Sequence, residues 1–94
     1  MDLSLRLRST RQFEKDYRQL ADRFPKLRKE LSDVVDLLRS SSPLPARYRD
    51  HPLRGRLSGL RDCHVRGDVV LLYYVEEQAT LVLVRIGTHS QLGL

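Results

Sequence analysis

The sequence predicts an α+β fold, an antiparallel sheet carrying a two-helix hairpin on one face in the order β-α-α-β-β-β. Three features carry the prediction: a short alternating segment near the start, two successive segments with apolar residues every three or four positions, and three apolar segments joined by short turns. At 94 residues the chain is expected to form one domain, 1–94, with room for a single core.

Leu3, Leu5 and Leu7 alternate with Ser4, Arg6 and Arg8, the period-two pattern of a strand with one buried face. Ser9 or Thr10 can then cap a helix, with Gln12 in capping-box position relative to Ser9. Phe13, Tyr17, Leu20 and Phe24 fall on one stripe of that helix. Pro25 suits the first turn of a second helix, whose stripe is Leu27, Leu31, Val34 and Leu38. Ser40-Ser41-Ser42-Pro43-Leu44-Pro45 ends it, because proline and the residue before it disfavour helical geometry. A loop runs to about Pro52. Strands are expected over 57–65, 69–75 and 80–86, with turns at Arg66-Gly67-Asp68 and Glu76-Glu77-Gln78 short enough to impose antiparallel pairing. The helices must cover one sheet face to hide their stripes.

Hydrophobic residues make up 40% of the chain and charged residues 31%, the balance of a folded domain that is neither disordered nor membrane-embedded. The longest apolar run, Val69 to Val75, falls far short of the ~20 residues a membrane helix needs. The alternating start lacks the continuous apolar segment of a secretion signal, so a cytoplasmic location is expected. Cys63, the only cysteine, cannot form an intrachain disulfide. A net charge of +5 favours an anionic partner, a nucleic acid or an acidic protein. Fourteen of the seventeen cations are arginine, which suits bidentate phosphate contacts but also arises from a GC-rich genome.

The three histidines are His51 in the loop, His64 on a predicted strand and His89 just beyond the last strand. Strand alternation puts Asp62 and His64 on one face and Cys63 and Val65 on the other. If the helices cover the Cys63 face, the opposite face gathers Asp62, His64 and Arg85, flanked by His51 and His89. Such a set contains what RNA cleavage by its own 2′-hydroxyl requires: a base for that proton, an acid for the leaving 5′-oxygen and a cation for the phosphorane charge. It needs no metal and no other cofactor. The plainer reading stays open on residue types alone, with each histidine a surface side chain and Asp62 and Asp68 solvated strand and turn residues.

Four ordered blocks add a resemblance: Pro43-Leu44-Pro45-Ala46, Tyr48-Arg49-Asp50-His51-Pro52-Leu53, Gly59-Leu60-Arg61-Asp62-Cys63-His64-Val65 with Asp68, and Arg85-Ile86-Gly87-Thr88-His89. Together they resemble the YafQ-type toxins of the RelE/ParE toxin superfamily. The resemblance implies the RelE-like fold and a type II toxin–antitoxin toxin that is a ribosome-dependent endoribonuclease, cleaving mRNA in the ribosomal decoding site. It further implies a cognate antitoxin as partner. Carried over by position, it places the catalytic group on His51, His64, Asp68 and His89, with Asp62 and Arg85 as substrate-binding residues. His89 and His51 would share the acid and base roles in an order left open, and Asp68 would orient His64 or hold its charged form. One departure stands at Gly93, where the family commonly has an aromatic residue.

Three other readings fit parts of the sequence. A ParE-like gyrase-inhibiting toxin would share the fold but has no use for the histidines. A non-catalytic nucleic-acid-binding module fits the charge but lacks an evident aromatic platform or recognition helix. A zinc site from His51, His64, His89 and Cys63 is disfavoured because Cys63 should face away from His64.

Overall fold

A computed structural model of the chain describes residues 4–94. β1 (Arg6–Ser9) leads into α1 (Arg11–Ala21) and α2 (Leu27–Arg39). A 3-10 turn (Ala46–Tyr48), the two-residue β2 (His51–Pro52) and another 3-10 turn (Gly55–Leu57) follow. The chain then forms β3 (Arg61–Arg66), β4 (Val69–Glu76), β5 (Thr80–Thr88) and the short α3 (His89–Leu92).

Thr10, not Ser9, caps α1. Its hydroxyl accepts from the Phe13 amide at 3.0 Å and donates to the Val84 carbonyl at 2.7 Å, so the cap also pins the helix to β5. Both helical stripes face the sheet: Phe13, Leu20, Leu27, Val34 and Leu38 are buried, with Tyr17, Phe24 and Leu31 packed at the margin. α2 starts at Leu27, beyond Pro25, because the Leu27 amide closes a turn onto the Phe24 carbonyl at 2.9 Å. α1 packs on β5 and α2 on β3.

The sheet order is β1-β5-β4-β3-β2. β2 to β5 pair antiparallel as expected, whereas β1 lies parallel to β5, with Arg6 opposite Thr80 and Ser9 opposite Leu83. The sheet is therefore mixed. Short turns dictate pairing only between consecutive strands, and β1 meets the last strand, not the next one. Leu3, expected to open β1, lies outside the described residues. Leu5 is buried, but Leu7 is 46% exposed although its partner Leu81 is fully buried. At a sheet edge the helical layer does not reach over it.

Three boundaries differ from expectation. The strand expected from Leu57 begins at Arg61, because residues 55–57 form a tight turn and Gly59 takes a left-handed φ of +96°. β5 continues to Thr88, and part of the expected loop forms β2. Two register shifts interrupt the ladders, one leaving Val65 between the paired residues His64 and Arg66, the other leaving Val84 between Leu83 and Arg85. The second explains why Leu81, Leu83 and Ile86 all join the main core, a change of parity that strict alternation forbids.

Val70, Leu72 and Val82 are buried outside that core, on the opposite face. α3 folds back over this face. A methyl group at Gly87 would meet the Gln91 side chain at 3.0 Å and Leu92 at 3.3 Å, so the helix lies close over the strand and a larger residue would have to displace those two side chains. Gly93, at φ +72°, closes α3 in a left-handed conformation that an aromatic residue would resist. No helix among the described residues is long and apolar enough to cross a membrane.

Candidate active site

His64 and His89 come together although 25 positions separate them in sequence: their ring centroids lie 5.2 Å apart. The sheet does this. The β3–β4 turn brings Val69 opposite Thr88, so the residues flanking the turn meet the end of β5. At that end Thr88 caps α3 in a reciprocal box with Gln91, which turns His89 off the strand and toward the turn.

Hydrogen bonding fixes the tautomer of each imidazole. His51 Nδ1 lies 2.7 Å from the Arg49 carbonyl, and His64 Nδ1 lies 3.1 Å from the Gly67 carbonyl. A carbonyl oxygen only accepts, so both Nδ1 atoms carry hydrogen. His89 Nδ1 likewise donates to the Asp68 carboxylate. All three rings therefore present Nε2 as the free atom, a base when bare and an acid when protonated. The His89 hydrogen bond, aided by the charges of His89 and His64, holds the Asp68 carboxyl below its ordinary value although the side chain is exposed.

Asp68 was expected to orient His64 and instead holds His89. Its position just past the turn, next to the end of β5, puts His89 within reach, while His64 is served by the backbone of the turn itself. Asp62 shares a sheet face with His51, its cross-strand partner, as alternation required. It is not solvated, however: Asp62 is only 2% exposed, and one carboxylate oxygen has no hydrogen-bonding partner.

Arg85 departs from expectation. By register it keeps the expected row, since Arg85 and Asp62 both pair with Leu72, but its guanidinium is taken elsewhere: Nε and Nη2 each donate to Asp16 of α1 at 2.9 Å. Asp16, 8% exposed, also accepts from the Ile86 amide at 3.2 Å and from Gln12 at 2.9 Å. Burial alone would raise the Asp16 carboxyl, but the bonds from Arg85, Gln12 and Ile86 outweigh it and hold the group below its ordinary value. Sequence reasoning missed Asp16. The signal was present, since position 16 lies on the same helix face as Phe13 and Leu20, where an acid must be paired.

His51 is held from two directions. Arg49 takes a left-handed φ of +51° that turns its carbonyl toward the ring. Asp50 is fastened by Arg61 Nε at 3.1 Å, Arg61 Nη2 at 3.2 Å and the Tyr73 hydroxyl. Burial and the Asp50 carboxylate push the Tyr73 phenol well above its ordinary value, so it remains a donor. Arg47, Tyr48, Arg49 and Arg66 line one groove with His64, Glu30 and Asp33, and Arg66 is ion-paired with Glu30 at 2.6 Å, a surface beside the imidazoles that the sequence reading did not single out. Cys63 faces the core, fully buried, with its thiol pushed up to about 12, chiefly by burial. It is inert.

A family model described as the bacterial toxin of the type II toxin–antitoxin system, YafQ, matches residues 5–93. The mRNA interferase toxin YafQ of Escherichia coli is 37% identical over 81 residues, covering 86% of this chain and 87% of that protein. A metal-bound toxin from Helicobacter pylori superposes with a TM-score of 0.85 at 40% identity, over 94% of this chain and 98% of that one. YafQ in the Escherichia coli DinJ–YafQ complex gives a TM-score of 0.79 at 37% identity, over 94% and 97% of the two chains. A family match spanning nearly all of the chain, with relatives of the same length and fold, shows that this protein belongs to the YafQ toxins of type II toxin–antitoxin systems.

Proposed function

We propose that this toxin, an endoribonuclease of the mRNA-interferase type, cuts messenger RNA in the ribosomal decoding site by metal-independent attack of the 2′-hydroxyl. The observation that carries the reading is the Asp68–His89 pair beside His64, at a groove lined by Arg47, Tyr48, Arg49 and Arg66. One bare Nε2 removes the 2′-hydroxyl proton, and a protonated Nε2 supplies the leaving 5′-oxygen. Asp68 accepts from His89 Nδ1 and so holds its Nε2 in one direction, and on that support His89 is assigned the acid role and His51 the base role. Arg47 and Arg49 of the groove carry the phosphate charge, since the guanidiniums of Arg85 and Arg66 are engaged by Asp16 and Glu30. Asp62, buried behind His64, acts on the substrate only through the histidines.

The toxin works in the cytoplasm, on the ribosome, and is held inactive by a cognate antitoxin whose acidic or apolar segment covers the basic groove. A gyrase-inhibiting or purely nucleic-acid-binding role would leave the shared imidazole tautomers and the Asp68–His89 bond without a purpose. The test is a message carrying 2′-deoxyribose at the cut position. It should bind to programmed ribosomes yet resist cleavage, while the all-ribose message yields a 2′,3′-cyclic phosphate or 3′-phosphate end. Efficient cutting of the deoxy substrate would rule out the mechanism.

A further inference from the structure

Pairing between β4 and β5 ends with Val69 opposite Thr88, so His89 is the first residue of that segment whose backbone the sheet no longer holds. It opens α3, and a helix of four residues is marginal on its own. None of the four side chains is buried, and the helix is seated on β5 by the close approach of Gln91 and Leu92 to Gly87.

Both ends of this helix are tied. At the C-terminal end the Gly93 amide donates to the Ser90 carbonyl at 3.3 Å and the Leu94 amide to the His89 carbonyl at 2.9 Å. At the N-terminal end the Thr88 hydroxyl accepts from the Gln91 amide at 3.2 Å, and the Gln91 side-chain oxygen accepts from the Thr88 amide at 2.8 Å. A reciprocal box of this kind satisfies two amides at once and so fixes where the helix begins. It begins at His89. The imidazole has a tether of its own, the hydrogen bond from Nδ1 to Asp68, whose side chain is 63% exposed. That bond limits rotation of the ring but leaves its Cα free to move, and the box holds the Cα.

We propose that Thr88 and Gln91 are positioning residues of the ribonuclease: their box fixes the His89 backbone so that Nε2 meets the leaving 5′-oxygen. The proposal rests on the nuclease reading above, with His89 as the acid. Their part is geometric, since an amide side chain carries no exchangeable catalytic proton and the Thr88 hydroxyl is engaged by the helix amide. A cap that served stability alone would secure buried side chains, and α3 has none.

Gln91→Ala and Thr88→Val should each lower kcat on ribosome-bound message by about 10–100-fold with KM unchanged, since misplacing a reacting group by about 1 Å costs that much. Thr88→Ser and Gln91→Glu keep both acceptors and should bring kcat back to within about threefold of the wild type. Gln91 is exposed, so the melting temperature of Gln91→Ala should fall by no more than about 8 °C. In a His89→Ala background, Gln91→Ala should slow the residual cleavage no further. Equal slowing in both backgrounds, a loss confined to KM, or wild-type kcat in Gln91→Ala would overturn the proposal. In the free wild-type chain, nuclear magnetic resonance should show backbone order parameters of about 0.85 over residues 88–91 and one tautomer at His89. Gln91→Ala should mix the His89 tautomers and leave those of His51 and His64 as they are. Wild-type order parameters below about 0.6 there would refute the box even if the variants fail to fold. A wild type that cuts no RNA would instead refute the nuclease reading, and the spectra would still judge the box.

Discussion

Asp16→Ala is expected to be the most damaging single change outside the apolar core. The carboxylate is 8% exposed and accepts four hydrogen bonds, two from Arg85, one from Gln12 and one from the Ile86 amide. Removing it leaves the Ile86 amide buried and unmet, a loss of about 1–3 kcal/mol. Arg85 also loses its partner, but its side chain is 37% exposed and can rehydrate, so the full penalty of about 3–5 kcal/mol for breaking a buried pair does not apply. The sum is about 2–4 kcal/mol, against a total stability of about 5–14 kcal/mol for a chain this size. In urea denaturation the midpoint should fall with little change in slope, and the melting temperature should drop by about 10–25 °C. A double-mutant cycle with Arg85→Ala isolates the pair itself. Its coupling should be about 1–2 kcal/mol, above the range of exposed ion pairs. A coupling under about 0.5 kcal/mol would refute the reasoning and return Arg85 to the list of groups free to meet substrate.

His89→Ala and His51→Ala should each slow cleavage of ribosome-bound message by about 10²–10⁴-fold, read by primer extension, with unchanged far-ultraviolet circular dichroism. Asp68→Asn should cost less than either, because it weakens the hold on the His89 ring without removing the proton carrier. A loss as large as that of His89→Ala would overturn the positioning role of Asp68. Acid should expose the Asp16 contribution. Its folded carboxyl titrates below the unfolded one, so its stabilisation is complete above about pH 4 and disappears as pH falls through the lower folded value. The urea midpoint of the wild type should therefore drop between about pH 4 and 2, and that of Asp16→Ala should drop less.

The helical half of the fold was legible because its stripes are long and regular, and Leu27 and Val34 are fully buried as the spacing required. The three late strands were legible for the same reason. What strand alternation could not deliver was a contact made between layers: Arg85 pairs with Leu72 as Asp62 does, but its guanidinium is taken by Asp16 of α1, and no local pattern in the strand marks that pair. The meeting of His64 with His89 was half legible. Both could be placed near one face by parity, but the turn into α3 was written in Thr88 and Gln91, a capping box that went unread. Asp62 was placed on the correct face and the wrong side of the solvent boundary, since alternation gives direction and says nothing about what covers a face. The parallel pairing of β1 had no local signal, because its partner lies at the other end of the chain.

That pairing has a bearing on when the toxin becomes dangerous. Thr10 and Val84, 74 residues apart in sequence, are joined by a hydrogen bond, and Asp16 holds Arg85 across a similar span. During synthesis β1 and α1 leave the ribosome with no strand to pair with, because the segment that completes the sheet, together with His89, is made after them. Contacts of such long sequence separation also form late in folding. A chain that lacks β5 therefore has neither the closed sheet nor the meeting of His64 with His89 on which the proposed cleavage relies.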